Sequence, residues 1–174
     1  VVDQRIDAVM DRTRGRPLPS GDLDGPHALA FALGLAALSI LVLVTFVNGL
    51  TAVLTFSAFI GYGVVYTMYL KRATPQNIVW GGVAGCMPTL IGWSAVTGTV
   101  QWPAVILFLV IFFWTPPHYW PLSMAFRDDY SAAGVPMLPV TEGARETRKQ
   151  ILVYTLALAP LGMVPWLIGF SGPV

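Results

Sequence analysis

Three aspartates stand four residues apart at the start of the chain: Asp3, Asp7 and Asp11. At about 100° per residue, side chains at that spacing fall within roughly 80° of one another on a helix. Val2, Ile6, Val9 and Met10 occupy the neighbouring face, so the spacing predicts an amphipathic, packed helix. Stacked carboxylates repel one another, and a cation resting on them removes that repulsion. Mg²⁺ suits such a site, because it takes one or two carboxylates, keeps waters and adds substrate phosphate oxygens. Asp3 and Asp7 are enough for this, and Asp11 is the weakest member. The same spacing also describes a plain solvated acidic face.

Basic residues follow. Arg12, Arg14 and Arg16 fall within five positions, before Pro17, Pro19 and Gly21 end the helix. Guanidinium groups grip phosphate oxygens bidentately, or anchor a loop at lipid headgroups. Lys71 and Arg72 close an apolar run, and snorkelling to the interface is their default reading. Asp128 and Asp129 form a second acidic pair. Facing the first pair across a bundle mouth, they would complete a metal–diphosphate clamp; alone, they are a solvated turn.

His118 lies in Trp114-Thr-Pro-Pro-His-Tyr-Trp-Pro, the only titratable side chain in the apolar runs besides tyrosines and Cys86. An ionisable residue within a membrane reads as functional. Pro116 and Pro117 are expected to break the helix and open a pocket there. The aromatic surroundings suit a flat macrocycle, and histidine is a haem ligand type. A packed histidine bonded to a backbone carbonyl is the alternative. His27 reads as interfacial. Cys86, the single cysteine, reads as a packing residue and excludes an internal disulfide.

The elements that must position these residues follow from where the charges fall. The chain has 174 residues, 55% hydrophobic and 11% charged, against about 25% charged for a soluble domain. All nineteen charges lie in segments 3–24, 71–72 and 127–149. Between and beyond them run uncharged stretches at about 28–46, 49–70, 78–98, 102–125 and 151–170. Each is long enough to cross a hydrocarbon core of about 30 Å as a helix. None shows the alternation of a membrane β-strand. The expected fold is therefore an all-α, polytopic transmembrane bundle of five spans, preceded by the end of another helix, in one domain over residues 1–174. The neutral turns 47–48 and 99–101 make two helical hairpins, 28–70 and 78–125.

Five spans place segments 1–27, 71–77 and 126–150 on one side, together with all ten Lys and Arg. The positive-inside rule makes that side cytoplasmic, or matrix-facing in a mitochondrion. Gly81 and Gly85 are spaced for close helix packing, and Gly61 and Gly63 suggest a second close approach. A net charge of +1 leaves no footprint for nucleic acid. The chain opens at Val1 inside a charged helix end, which reads as an internal piece of a longer protein.

Several motifs in order resemble one family. Asp3-x-x-x-Asp7-x-x-x-x-Arg12-Thr13-x-x-Arg16-Pro17-Leu18-x-x-Gly21 is similar to the first signature of the haem O synthases, or protoheme IX farnesyltransferases. Tyr66-Thr67…Leu70-Lys71-Arg72…Thr74-Pro75-Gln76-Asn77, Ile91-Gly92-Trp93, Trp114…Pro117-His118 and Asp128-Asp129-Tyr130…Ala133-Gly134-Val135-Pro136-Met137-Leu138-Pro139-Val140 complete the likeness. These are intramembrane prenyltransferases of UbiA type, helical bundles usually of nine spans. The resemblance implies that this chain carries the end of the second span and then spans three to seven.

It also implies transfer of farnesyl from farnesyl diphosphate to a vinyl group of haem b, with water added, giving haem O and diphosphate. Asp3 and Asp7 would hold Mg²⁺, with Asp128 and Asp129 serving a second metal. Arg12, Arg16, Lys71 and Arg72 would bind the diphosphate, and His118 would stand on the haem side. The asparagine that opens the wider superfamily's first motif falls before Val1. Asp128-Asp129-Tyr130 replaces the wider superfamily's Asp-x-x-x-Asp, which fits the haem branch.

The lipid bilayer and the next enzyme of haem A synthesis are implied partners. The bacterial inner membrane is favoured over the mitochondrial one. Rival readings are a UbiA-type enzyme acting on an aromatic acid or chlorin, and a transporter-like bundle. Transporters place ionisable sites at mid-membrane, whereas these charges gather at one mouth.

Overall fold

A computed structural model describes residues 1–172. The described residues form helices and connections without a strand. Two short helices come first, α1 (Gln4–Val9) and α2 (Pro17–Ser20). Then follow α3 (Gly25–Phe46) and α4 (Gly49–Ile60); α4 continues as a π-helix (Gly61–Leu70) and a last turn, α5 (Lys71–Ala73). Next are α6 (Asn77–Thr97), α7 (Trp102–Ala125), the short α8 (Arg127–Ala132) and α9 (Leu138–Thr141), and finally α10 (Gly143–Leu167). Five rods, 25–46, 49–73, 77–97, 102–125 and 143–167, are long and apolar enough to cross a membrane. Large apolar side chains such as Phe31, Leu41, Phe46 and Val96 point outward along them, as lipid-facing helices require.

The hairpins pack in sequence: α3 on α4, α4 on α6, α6 on α7 and α7 on α10. A polar lock fixes the neutral end. Asn48 Oδ1 accepts from Thr51 N at 2.8 Å, capping α4, and from Thr51 Oγ1 at 2.9 Å. Asn48 Nδ2 donates to the Ser94 carbonyl at 2.8 Å, and the Thr51 and Ser94 hydroxyls meet at 2.9 Å. Thr51 and Ser94 are fully buried; in hydrocarbon every such group must find a partner. At the charged end, Gln76 Nε2 donates to Gln150 Oε1 at 2.9 Å and ties the 74–76 connection to α10.

The buried core also lies at the charged end. Met10, Ile78, Trp120, Tyr130, Val135, Met137 and Leu138 form one cluster that joins the N-terminal segment, α6, α7 and the 130–138 connection. This packing supports the charged end from within, which suits a site.

Local structure departs from several expectations. α1 ends at Val9 and Met10 is extended, with ψ 126°, so Asp11 leaves the helix and does not stack on Asp7. Val2 and Val9 are exposed, and burial of the expected apolar face falls on Met10. The last long helix starts at Gly143, so charged residues 143–150 are a helical extension of the apolar run rather than loop. α7 is not broken: it runs through Pro116, Pro117 and Pro121, as membrane helices with packed neighbours can. The packing glycines are Gly81 and Gly82, not Gly81 and Gly85. A Cβ on Gly81 would stand 2.8 Å from Tyr66 Cε2 and one on Gly82 3.3 Å from Thr115 Cγ2, whereas Gly85 faces open space. Gly61 and Gly63 also face open space and instead open the π-helix.

Candidate active site

The π-helix sets one wall of a cavity. Its i→i+5 bonding puts more residues in each turn than an α-helix does, so positions four or five apart share a face. Tyr62, Tyr66, Thr67 and Lys71 all line the cavity as a result. The Tyr62 and Tyr66 rings stack at 5.3 Å, and Thr67 Oγ1 donates to the Tyr62 carbonyl at 2.7 Å. Gly81 leaves room for the Tyr66 ring against α6.

The opposite wall is the N-terminal segment. Asp3 and Asp7 sit at the N-cap and in the first turn of α1, one turn apart. The chain then folds back. Thr13, buried, donates from Oγ1 to the Asp7 carbonyl at 2.9 Å, and Gln4 Nε2 donates to the Leu18 carbonyl at 2.8 Å. These bonds bring Arg12 and Arg16 round to the same opening. The cavity measures about 240 Å³, and its lining includes Asp3, Asp7, Arg12, Arg16 and Lys71. Tyr119, Tyr130, Val135 and Met137 complete its lining, the last three of them buried.

Carboxylates and cations pair around this rim. Lys71 Nζ donates to Asp3 Oδ2 at 2.5 Å, and Arg72 Nη2 lies 3.5 Å from Asp3 Oδ1. Arg16 Nη1 reaches Asp7 at 3.2 and 3.3 Å. The Lys71–Asp3 pair is about three-quarters buried, with side-chain exposures of 22% and 24%; close charges at such a site interact more strongly than exposed ones. Arg12 lies over the Phe126 ring at 5.3 Å, which keeps its guanidinium near the opening.

The remaining candidates stand elsewhere. Arg72 pairs with Asp3 and donates to the Val2 carbonyl at 3.2 Å, behind the cavity wall. Asp11 pairs with Arg14 on the exposed surface. Asp128 and Asp129 lie on α8 and do not line the cavity. Their neighbour Tyr130 does, because Arg127 Nε bonds the Pro139 carbonyl at 3.1 Å and Tyr130 packs into the core. His118 is exposed on the outer face of α7, its ring stacked on Trp114 at 4.0 Å. His27 bonds Asp24 at 2.8 Å at the exposed start of α3. Cys86 is fully buried and bonds the Gly82 carbonyl.

The sequence gives the tyrosines no site role of their own, although Tyr66 and Tyr130 stand within the motifs that carry the resemblance. Aromatic residues are common throughout these helices, so composition does not single out Tyr62, Tyr66, Tyr119 and Tyr130; only the fold brings them together. The five-residue step from Tyr66 to Lys71 is a further signal, and it needs a π-helix to be read as a shared face.

Among the described residues, no three acidic, histidine or cysteine side chains converge as a metal cage. The rim nevertheless fits a hard divalent ion. Asp3 Oδ1 is buried and accepts no hydrogen bond, its nearest cation being Arg72 Nη2 at 3.5 Å, and Asp3 and Asp7 line one polar cavity. Two carboxylates are what a phosphate-bridging ion takes from protein.

The sequence matches the UbiA prenyltransferase family over residues 1–174. It is 56% identical over 172 residues to a protoheme IX farnesyltransferase of Thioalkalivibrio sulfidiphilus, covering 99% of this chain and 57% of that protein. Corresponding proteins of Hahella chejuensis and Brucella anthropi are 55% and 52% identical, with 99% of this chain and 58% and 55% of their own lengths covered. The chain thus spans somewhat under three-fifths of the curated relatives it matches. No solved structure matches it. A family match along the whole chain, together with five membrane-length helices, makes this an integral membrane protein that belongs to the UbiA prenyltransferase family.

Proposed function

We propose that this chain carries the diphosphate site of an enzyme that transfers farnesyl from farnesyl diphosphate to a vinyl group of haem b, giving haem O and diphosphate. The observation that carries the reading is the cavity where Asp3, Asp7, Arg12, Arg16 and Lys71 meet above four tyrosines. The names of its relatives supply the acceptor. A charged rim over an aromatic interior is what an ionising allylic diphosphate needs: cations for the leaving group, and a dry π-lined space for the organic cation.

Arg12, Arg16 and Lys71 bind the diphosphate oxygens and neutralise the charge that grows as the C1–O bond breaks. Asp3 holds Lys71 in place, and Asp7 holds Arg16. UbiA-family enzymes generally use a divalent metal, and Mg²⁺ is the ion we propose for Asp3 and Asp7; when bound it supplies Lewis-acid neutralisation of the diphosphate. We prefer this one position to a second at Asp128 and Asp129, which stand outside the cavity lining. The aromatic rings in the cavity lining stabilise the allylic cation electrostatically. His118, with Trp114 beside it, offers an aromatic edge for the haem on the outer face of α7.

The charged end faces the cytoplasm by the positive-inside rule, and the membrane is the bacterial inner one. Haem O would pass to the next enzyme of haem A synthesis.

Acceptor competition tests the assignment. The intact protein in membranes receives farnesyl diphosphate and Mg²⁺ with haem b, an aromatic acid or a chlorin, and products are read by mass spectrometry. Farnesylated haem is expected. Prenylation of either other acceptor in preference would replace haem b in this reading.

A further inference from the structure

We propose that the hydroxyls of Tyr119 and Tyr130 form the subsite that holds the water added to the acceptor, and so decide whether the product is an alcohol or an alkene. The proposal rests on the farnesyl-to-vinyl reading above. When the terminal vinyl carbon bonds to farnesyl C1, positive charge moves to the inner vinyl carbon. That cation either loses a proton to give an alkene or bonds a water oxygen to give an alcohol. In the second case one water proton must leave, and the departing diphosphate is the base at hand. A water held in place favours capture over proton loss.

Six hydroxyl-bearing residues line the cavity: Thr13, Tyr62, Tyr66, Thr67, Tyr119 and Tyr130. The two threonine hydroxyls are spent on carbonyls, Thr13 on Asp7 and Thr67 on Tyr62. Tyr62 is 54% exposed at the outer edge, where any water is bulk water. Tyr66 is wedged between Gly81 and the Tyr62 ring. Tyr119 and Tyr130 remain. Tyr130 is only 7% exposed, it shares the cavity lining with Tyr119, and Val135 and Met137 add apolar surface to the same lining. Two phenols in the lining of one cavity can offer a water both a donor and an acceptor.

Burial, with the neighbouring Tyr119 phenol, pushes the Tyr130 phenol upward from its ordinary range. It therefore stays protonated at neutral pH and holds the water without deprotonating it. Arg12 lines the same cavity as Tyr119 and Tyr130, so this subsite adjoins the diphosphate rim.

The test compares products, not rates. The intact protein and its Tyr130→Phe and Tyr119→Phe variants are supplied in membranes with haem b, farnesyl diphosphate and Mg²⁺, and farnesylated haem is analysed by mass. Phenylalanine keeps the ring and removes only the hydroxyl. In either variant the share of product lighter by one water should rise about tenfold, the effect of one lost hydrogen bond on a branching ratio. A merely structural tyrosine would change total turnover and leave that ratio alone. An unchanged ratio in the variants that form product, or loss of Tyr130→Phe activity with normal product from Tyr119→Phe, overturns the proposal. Absence of farnesylated haem from the unsubstituted protein instead overturns the reading beneath it.

Discussion

Lys71 donates to Asp3 at 2.5 Å across 68 positions of sequence, joining the end of the π-helix to the start of the chain. One pair thus fixes both walls of the cavity. The cation that would meet a leaving diphosphate is held by the carboxylate we propose as a metal ligand. Lys71→Gln should lower kcat by about a hundredfold or more, the usual effect of losing one preorganised charge partner. Adding Asp3→Asn should cost much less than the separate losses combined, because the two act as a unit. Steady-state kinetics on the double-mutant cycle checks both.

Gly81 should matter through Tyr66. An alanine Cβ would fall 2.8 Å from the Tyr66 ring, so the ring must swing into the cavity. Gly81→Ala should lower kcat/KM about ten- to hundredfold, as displacement of a positioned group does. Gly82→Ala meets Thr115 at 3.3 Å, away from the cavity, and should stay within a few-fold of normal. Equal losses in the two variants would point to general helix packing rather than to Tyr66.

The neutral-end lock should be a matter of stability alone. Asn48→Ala removes the α4 cap and the bond to Ser94, which together should cost about 1–2 kcal/mol. Unfolding in detergent should show that shift, with turnover per folded molecule unchanged.

His118 separates two accounts of the outer face of α7. As a haem-side residue, His118→Ala should weaken haem b binding about tenfold, measured by absorbance titration in detergent. As a partner of Trp114 alone, it should leave haem affinity where it was.

Much of this was legible in the sequence, for different reasons at different residues. The five apolar runs and the charged connections were plain because lipid forbids charges along its whole thickness. Asp3 and Asp7 stand out by their spacing, and Arg12, Arg16 and Lys71 take a site role only through the family resemblance; all five line one cavity. Asp11 was misplaced because a one-turn helix was read as longer; the turn at Met10 is local and lacks a proline to announce it. The proline pair at 116–117 was read as a break, because proline's missing N–H is a local fact while its tolerance depends on neighbouring helices. Tyr130 was overshadowed by Asp128 and Asp129. In sequence the acids carry the stronger chemical signal, but the Arg127–Pro139 bond belongs to a fold that seats the tyrosine inside and leaves the acids outside.

The most direct measurement is haem O formation by the intact protein and by its Asp7→Asn variant, in membranes supplied with haem b, farnesyl diphosphate and Mg²⁺. The account predicts farnesylated haem from the first, and at least a hundredfold less, by the order of magnitude above, from an equally inserted variant. Product from Asp7→Asn at the normal rate would contradict a diphosphate site at the mouth between α1 and the π-helix.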